Sequence, residues 1–145
     1  MFKATFYTHV ARPAEFTVRL AARAVRDGGR VLVWTYSAAD AAALSRDLWQ
    51  VLPESFLAHE IRQPDEALPQ ECPIIVSFGP LIAVPQDMVV LNLSDAFWHT
   101  VTPPPARVLE IVGTSLEDLA DARERFRAYR ENGFTIEHHN MSGKA

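Results

Sequence analysis

Short apolar runs alternate with amphipathic stretches along most of the chain, and that rhythm predicts its elements. Ala4 to Tyr7 is brief, β-prone and closed by the turn Ala11-Arg12-Pro13, which predicts a first strand. From Glu15 to Asp27, Phe16, Leu20, Ala24 and Val25 recur at helical spacing with Arg19, Arg23 and Arg26 between them, and Gly28-Gly29 ends the helix. Val31 to Trp34 is continuously apolar, the pattern of a strand covered on both faces. Ser37 then caps an alanine-rich helix, Ala38 to Val51, that carries Leu44, Leu48 and Trp49.

The second half has shorter connections. Phe56 to Ile61 reads as an edge strand, and Arg62 to Pro73 has the proline and acid content of a loop. Ile74 to Phe78 and Met88 to Leu93 are strands joined by a segment too short for a long helix. Stiff prolines at 103–105 lead into a strand from Val108 to Val112. Ser115, with Asp118 three residues on, resembles a capping box and opens a helix that runs to Asn132 and stops at Gly133. Phe134 to His138 is the last strand. Together these predict an α/β, Rossmann-like open sheet with helices on both faces, mostly parallel and of mixed direction in the second half. One domain over residues 1–140 and a loose tail at 141–145 are expected.

Composition narrows the possible functions. The chain has 145 residues, of which 48% are apolar and 22% charged, as in ordinary globular domains. A net charge of -4 argues against a surface that holds nucleic acid by its phosphates, so contact with DNA is expected to be indirect. Base stacking on Trp34, Trp98 or Tyr36 meets the same objection. Cys72 is the single cysteine, which leaves neither a disulfide nor a thiolate metal site within the chain. Met1 to Tyr7 lacks the apolar core of a secretion signal, and no run approaches the roughly 20 apolar residues of a membrane span. A cytoplasmic protein with no membrane contact is the expectation.

The loop after the first strand, Thr8-His9-Val10-Ala11-Arg12-Pro13, has no glycine for a pyrophosphate and no Walker lysine, so no cofactor is expected. Ser37, Ser77 and Ser94 lack the glycine-flanked elbow of a nucleophile. His138 and His139 point to opposite faces if extended, with no further metal ligand near them in sequence. Asp95 and His99, four residues apart, support a competing reading as an enzyme or nucleotide-binding module at the carboxyl ends of the strands.

The last helix carries the clearest signal. At about 100° per residue, Leu116, Leu119, Arg123, Phe126, Arg127 and Arg130 fall within an arc of roughly 100°. Asp118, Asp121, Glu124 and Glu131 lie outside it. A face that is both apolar and basic suits a peptide bearing acids and a hydrophobic end group, because guanidinium forks grip carboxylates.

The run Ala122-Arg123-Glu124-Arg125-Phe126-Arg127-Ala128-Tyr129-Arg130, followed by Gly133-Phe134, resembles the carboxy-terminal motif of the DNA polymerase III chi subunit family. Ala4-Thr5-Phe6-Tyr7, Leu48-Trp49, Glu54-Ser55-Phe56 with His59, Leu91-Asn92-Leu93 and Glu110-Ile111-Val112 resemble further family patterns in order. The resemblance implies a non-catalytic subunit of a holoenzyme with DNA polymerase activity. It would bridge the clamp loader, through the psi subunit, to the acidic, phenylalanine-terminated tail of the single-stranded DNA-binding protein. It further implies a heterodimer rather than a homo-oligomer. In the tail site Arg123 would hold the terminal carboxylate, Phe126 and Val112 would line the pocket for the aromatic ring, and Arg127 would meet upstream acids. Leu119 and Arg130 join the set from the helical wheel. Leu119 stands where the family carries a lysine, which points to a smaller or shifted set of acid contacts. Trp49 and Phe56 match aromatic residues that pack against psi.

Overall fold

The computed structural model describes residues 1–144. In chain order the elements are β1 (Lys3–Thr8), α1 (Pro13–Arg26), β2 (Arg30–Trp34), α2 (Ala38–Gln50), β3 (His59–Ile61), β4 (Ile74–Ser77), β5 (Met88–Asn92), β6 (Arg107–Ile111), α3 (Leu116–Glu131) and β7 (Thr135–Asn140). A 3-10 turn at Trp98–Thr100 lies between β5 and β6. Pro13 opens α1, where its missing N–H costs no helical bond, and Arg23 and Arg26 face the negative end of the helix dipole. Ser37 caps α2, its side chain accepting from the Asp40 amide at 3.2 Å.

The strands form one 7-stranded sheet in the order β3-β4-β2-β5-β6-β1-β7. Every neighbouring pair is parallel. This corrects the mixed direction expected for the second half. The short segment from β4 to β5 makes no hairpin, because β2 lies between those strands. The link from β5 to β6 crosses over the sheet and buries Trp98 on the way. Parallel neighbours require a crossover, and here irregular chain supplies it in place of a long helix.

Both faces of the sheet are covered, as a parallel sheet demands. On one face Val18 and Ala21 of α1 and Ala41, Leu44 and Leu48 of α2 pack on Val31, Val33, Ile74, Val76 and Leu91. On the other, Ala122 and Tyr129 of α3, with Val84 and Trp98 from the crossovers, pack on Phe6, Leu32, Trp34, Ile75, Val90 and Val108. Trp34 and Trp98 meet edge-on at 5.2 Å inside this core, which removes both as platforms for a nucleic-acid base. Tyr36 is exposed, and its hydroxyl donates to Asp95 at 3.3 Å.

The loop at 62–73 is organised around Arg62, whose buried guanidinium donates to Glu66 O at 2.7 Å, Pro64 O at 3.1 Å and Ser77 Oγ at 3.1 Å. Of the expected loose tail, Met141 to Lys144 form a turn tied to the sheet by the Met141 amide, which donates to Thr8 O at 2.8 Å. Ala145 lies outside the described residues.

Candidate functional site

α3 presents the candidate residues, and its two ends are fixed locally. Ser115 Oγ accepts from the Asp118 amide at 3.0 Å, and Gly133, at a φ of 81°, takes the left-handed turn that closes the helix. Ala122, Arg125 and Tyr129 form the buried stripe. Arg125 is 5% exposed because a carboxylate waits beneath it: Glu110 of β6, fully buried. Arg125 Nε donates to Glu110 Oε1 at 3.0 Å, the Tyr129 hydroxyl to Oε2 at 2.7 Å, and Asn92 Nδ2 to both oxygens at 3.0 Å. Every contact is a donor, the arrangement that suits an ionised carboxylate. Burial pushes the Glu110 carboxyl above its ordinary range, with Arg125, Tyr129 and Asn92 acting against it. Burial and the adjacent Glu110 charge hold the Tyr129 hydroxyl well above its own. This network clamps α3 to the middle of the sheet.

Clamped in that rotation, α3 turns Leu119, Arg123, Phe126, Arg127 and Arg130 along one side of an open groove of about 420 Å³. Phe6, Thr8, His9 and His138 line it from β1, the loop after β1, and β7. No carboxylate lines this groove among the described residues. Phe126 is half-buried, with its ring 5.4 Å from that of Phe6 and the Arg130 guanidinium 6.0 Å above it. Arg127 meets Glu124 at 3.3 Å, an exposed pair one turn apart of the kind that contributes little. Arg123 and Arg130 are exposed and make no salt bridge among the described residues. Val112 departs from the expectation. It is 2% exposed, does not line the groove, and belongs to the core cluster on which Leu119 and Phe126 rest. Backbone bonds to Tyr7 and Val10 at 2.8 and 3.0 Å hold it there in register with β1.

The sequence pattern of the DNA polymerase III chi subunit family matches residues 1–137. The chain belongs to that family. A DNA polymerase III subunit chi from Pseudomonas aeruginosa is 28% identical over 123 residues, which cover 85% of this chain and 82% of that protein. Among solved structures, T4 UvsW is similar with a TM-score of 0.63 and 8% identity over 97% of this chain. The chain spans 41% of that protein, and a likeness at such identity shows the fold alone. Membership in the chi family assigns the chain to DNA polymerase III and DNA replication, as an accessory subunit.

The two aromatic residues expected at a second contact are both exposed. Trp49 and Phe56 are 47% and 85% exposed, with ring centroids 5.2 Å apart. Trp49 also leans on His59 at 4.7 Å, and that ring is fixed by Ser45 Oγ and Leu57 O, each at 2.8 Å. Ordinary core filling does not describe them.

Asp95 and His99 are not brought into one site. Asp95 receives the Tyr36 hydroxyl, whereas His99 packs between Phe97 and Tyr129, at 5.8 and 6.0 Å. The cleft beside Asp95 measures about 140 Å³ and is lined by Asp118 and Asp121 as well, a poor setting for an anionic nucleotide. Sequence reading missed two parts of the geometry. One is the buried Glu110–Arg125 pair, and the other is the histidine wall opposite α3. The only sequence signal for the first was an acid inside an apolar strand run, Val108-Leu109-Glu110-Ile111-Val112.

Proposed function

We infer that the chain is a non-catalytic adaptor of DNA polymerase III, whose α3 groove receives the acidic, phenylalanine-terminated tail of the single-stranded DNA-binding protein. The observation that carries this reading is the groove itself: Arg123, Arg127 and Arg130 line it together with a half-buried Phe126, and among the described residues no acid lines the space. An aromatic end group meets Phe126, Leu119 and Phe6, while its terminal carboxylate meets Arg123 in a charge-assisted pair. Arg127 reaches upstream acids, exchanging its weak partner Glu124 for them. Leu119 adds apolar surface where the family's lysine would add charge, which shifts the balance of this site from ion pairing toward burial.

Trp49 and Phe56 form the second contact, with the psi subunit, and through it the clamp loader. The chain is then a bridge in a heterodimer, and it reaches DNA only through its partners. Paired exposed aromatics beside the free edge of β3 are the type of anchor that dominates interface energetics.

Fluorescence anisotropy with a labelled peptide copying the partner's last residues tests the tail site. Binding at micromolar scale that weakens with salt is expected. Loss of one charge-assisted contact predicts that Arg123→Ala weakens it by about 10- to 100-fold. Equal affinity for wild type and Arg123→Ala overturns the assignment.

A further inference from the structure

The wall of the groove facing α3 has chemistry of its own. Thr8 Oγ1 lies 2.7 Å from His138 Nε2 and 3.2 Å from His9 Nδ1, and all three side chains line the same space as Arg123, Arg127 and Arg130. β1 and β7 bring them together through the pairing of Phe6 with His138 and Thr8 with Asn140. His9 holds a φ of 59°, a left-handed conformation that is costly for a residue with a side chain. It persists because the backbone is pinned on both sides, by Met141 N to Thr8 O at 2.8 Å and Val10 N to Val112 O at 3.0 Å.

A threonine hydroxyl has one proton and two acceptor sites. Where one facing ring nitrogen is unprotonated, Thr8 donates its proton to that nitrogen and accepts from the other. When both facing nitrogens carry protons, Thr8 accepts from both, and its own proton turns outward to the groove. That state presents a free hydroxyl donor, and two imidazolium rings in that arrangement add positive charge on either side of it, which makes a carboxylate receptor.

The charged groups around this wall decide where the anion must come from. α3 contributes Arg123, Arg127 and Arg130, with Glu124 turned to Arg127. Beyond His9, Arg12 pairs with Glu15 at 3.5 Å. Glu137 is paired with Lys3 and His139, and His139 stacks on Tyr7 at 5.3 Å, on the sheet face opposite the groove. Among the described residues no carboxylate faces His9 or His138 across the groove.

We propose that Thr8, His9 and His138 are a second carboxylate locus of this groove, one that takes up protons as it receives an acidic side chain of the bound peptide. This rests on the reading of the groove as the site of an acidic tail, and it gives that site a specificity the arginines alone do not. A ligand with only a terminal carboxylate engages α3. A ligand with a further acid upstream engages both walls, more tightly at pH 6 than at pH 8.

Isothermal titration calorimetry on the full chain tests it, using a synthetic peptide with several aspartates and a free carboxy-terminal phenylalanine. Titrations at pH 6 and pH 8, each in two buffers of different ionisation enthalpy, read both affinity and protons exchanged. Aspartates stay ionised across this range, so the peptide itself does not confuse the result. The wild-type chain is expected to bind about three- to tenfold tighter at pH 6, with net proton uptake. His9→Gln with His138→Gln, in a chain shown folded by thermal melting, is expected to bring that ratio close to one and to abolish uptake. Binding that depends on Arg123 but shows the same pH ratio in the double variant overturns this proposal and leaves the tail site standing. Failure of the peptide to bind the wild-type chain at either pH overturns both.

Discussion

Replacing Arg125 by methionine perturbs the clamp under α3 while keeping most of the side chain's length and apolar stem. In the folded chain it removes the guanidinium that lies 3.0 Å from Glu110, leaving a fully buried carboxyl with only Asn92 and Tyr129 as donors. Breaking a buried ion pair by deleting one partner costs about 3–5 kcal/mol, because the survivor's desolvation is no longer offset. For a domain of this size that is a fall of about 10 °C in Tm. The loss depends on pH with a definite sign. Burial sets the Glu110 carboxyl above its ordinary value of 4.5, and the opposing effect of the Arg125 charge is the largest of those that lower it. A raised folded-state value means that this group favours the fold below its ordinary range, and that the contribution is lost as pH rises through the folded value. Deleting Arg125 moves that folded value further up. The deficit of Arg125→Met is therefore greatest near pH 8 and shrinks as pH falls toward 5.5, by up to about 1.4 kcal/mol per pH unit. Urea unfolding of wild type and variant at several pH values measures it. The double variant Arg125→Met, Glu110→Gln is expected to be more stable at pH 8 than Arg125→Met alone, with a flat pH profile for the deficit. A single-variant loss below about 1 kcal/mol, or a loss equal at pH 5.5 and 8, refutes the reasoning.

Phe56 is 85% exposed, so Phe56→Ser is expected to change stability by less than about 0.5 kcal/mol in urea unfolding, yet to prevent co-purification with the psi subunit. Retained co-purification in this variant removes the aromatic pair from the interface. Ser115→Ala deletes the side-chain cap that accepts from Asp118 at 3.0 Å and is expected to cost about 1 kcal/mol in thermal or urea melts. Because the cap lies outside the groove, peptide affinity below the melting range should stay unchanged.

Much of the fold was legible because its strands are short, apolar and separated by amphipathic helices. The order of strands was not, since pairings such as β1 with β7 join residues at opposite ends of the chain. Mixed strand direction was expected from the short connections of the second half, whereas β2 lies between β4 and β5 and every pair is parallel. On α3, periodicity found the arc that lines the groove, but hydropathy hid the true buried stripe, because Arg125 counts as polar whatever carboxylate waits for it. Val112 was drawn into the site by resemblance, and burial places it under the floor. Trp49 and Phe56 were picked out by resemblance, since size and hydrophobicity alone would predict burial, and both are exposed. The histidine wall needed β7 beside β1 before His9, Thr8 and His138 became neighbours.

The adaptor reading is tested most directly by titrating the acidic, phenylalanine-terminated peptide into isotopically labelled chain and following backbone amide resonances by NMR. Saturable shifts are expected to concentrate at Leu119, Arg123, Phe126 and Arg127 and, across the groove, at Thr8 and His9. Shifts centred instead on Asp95, Asp118 and Asp121 at the carboxyl ends of the strands, or none at millimolar peptide, about 1000-fold above the affinity scale expected, contradict it.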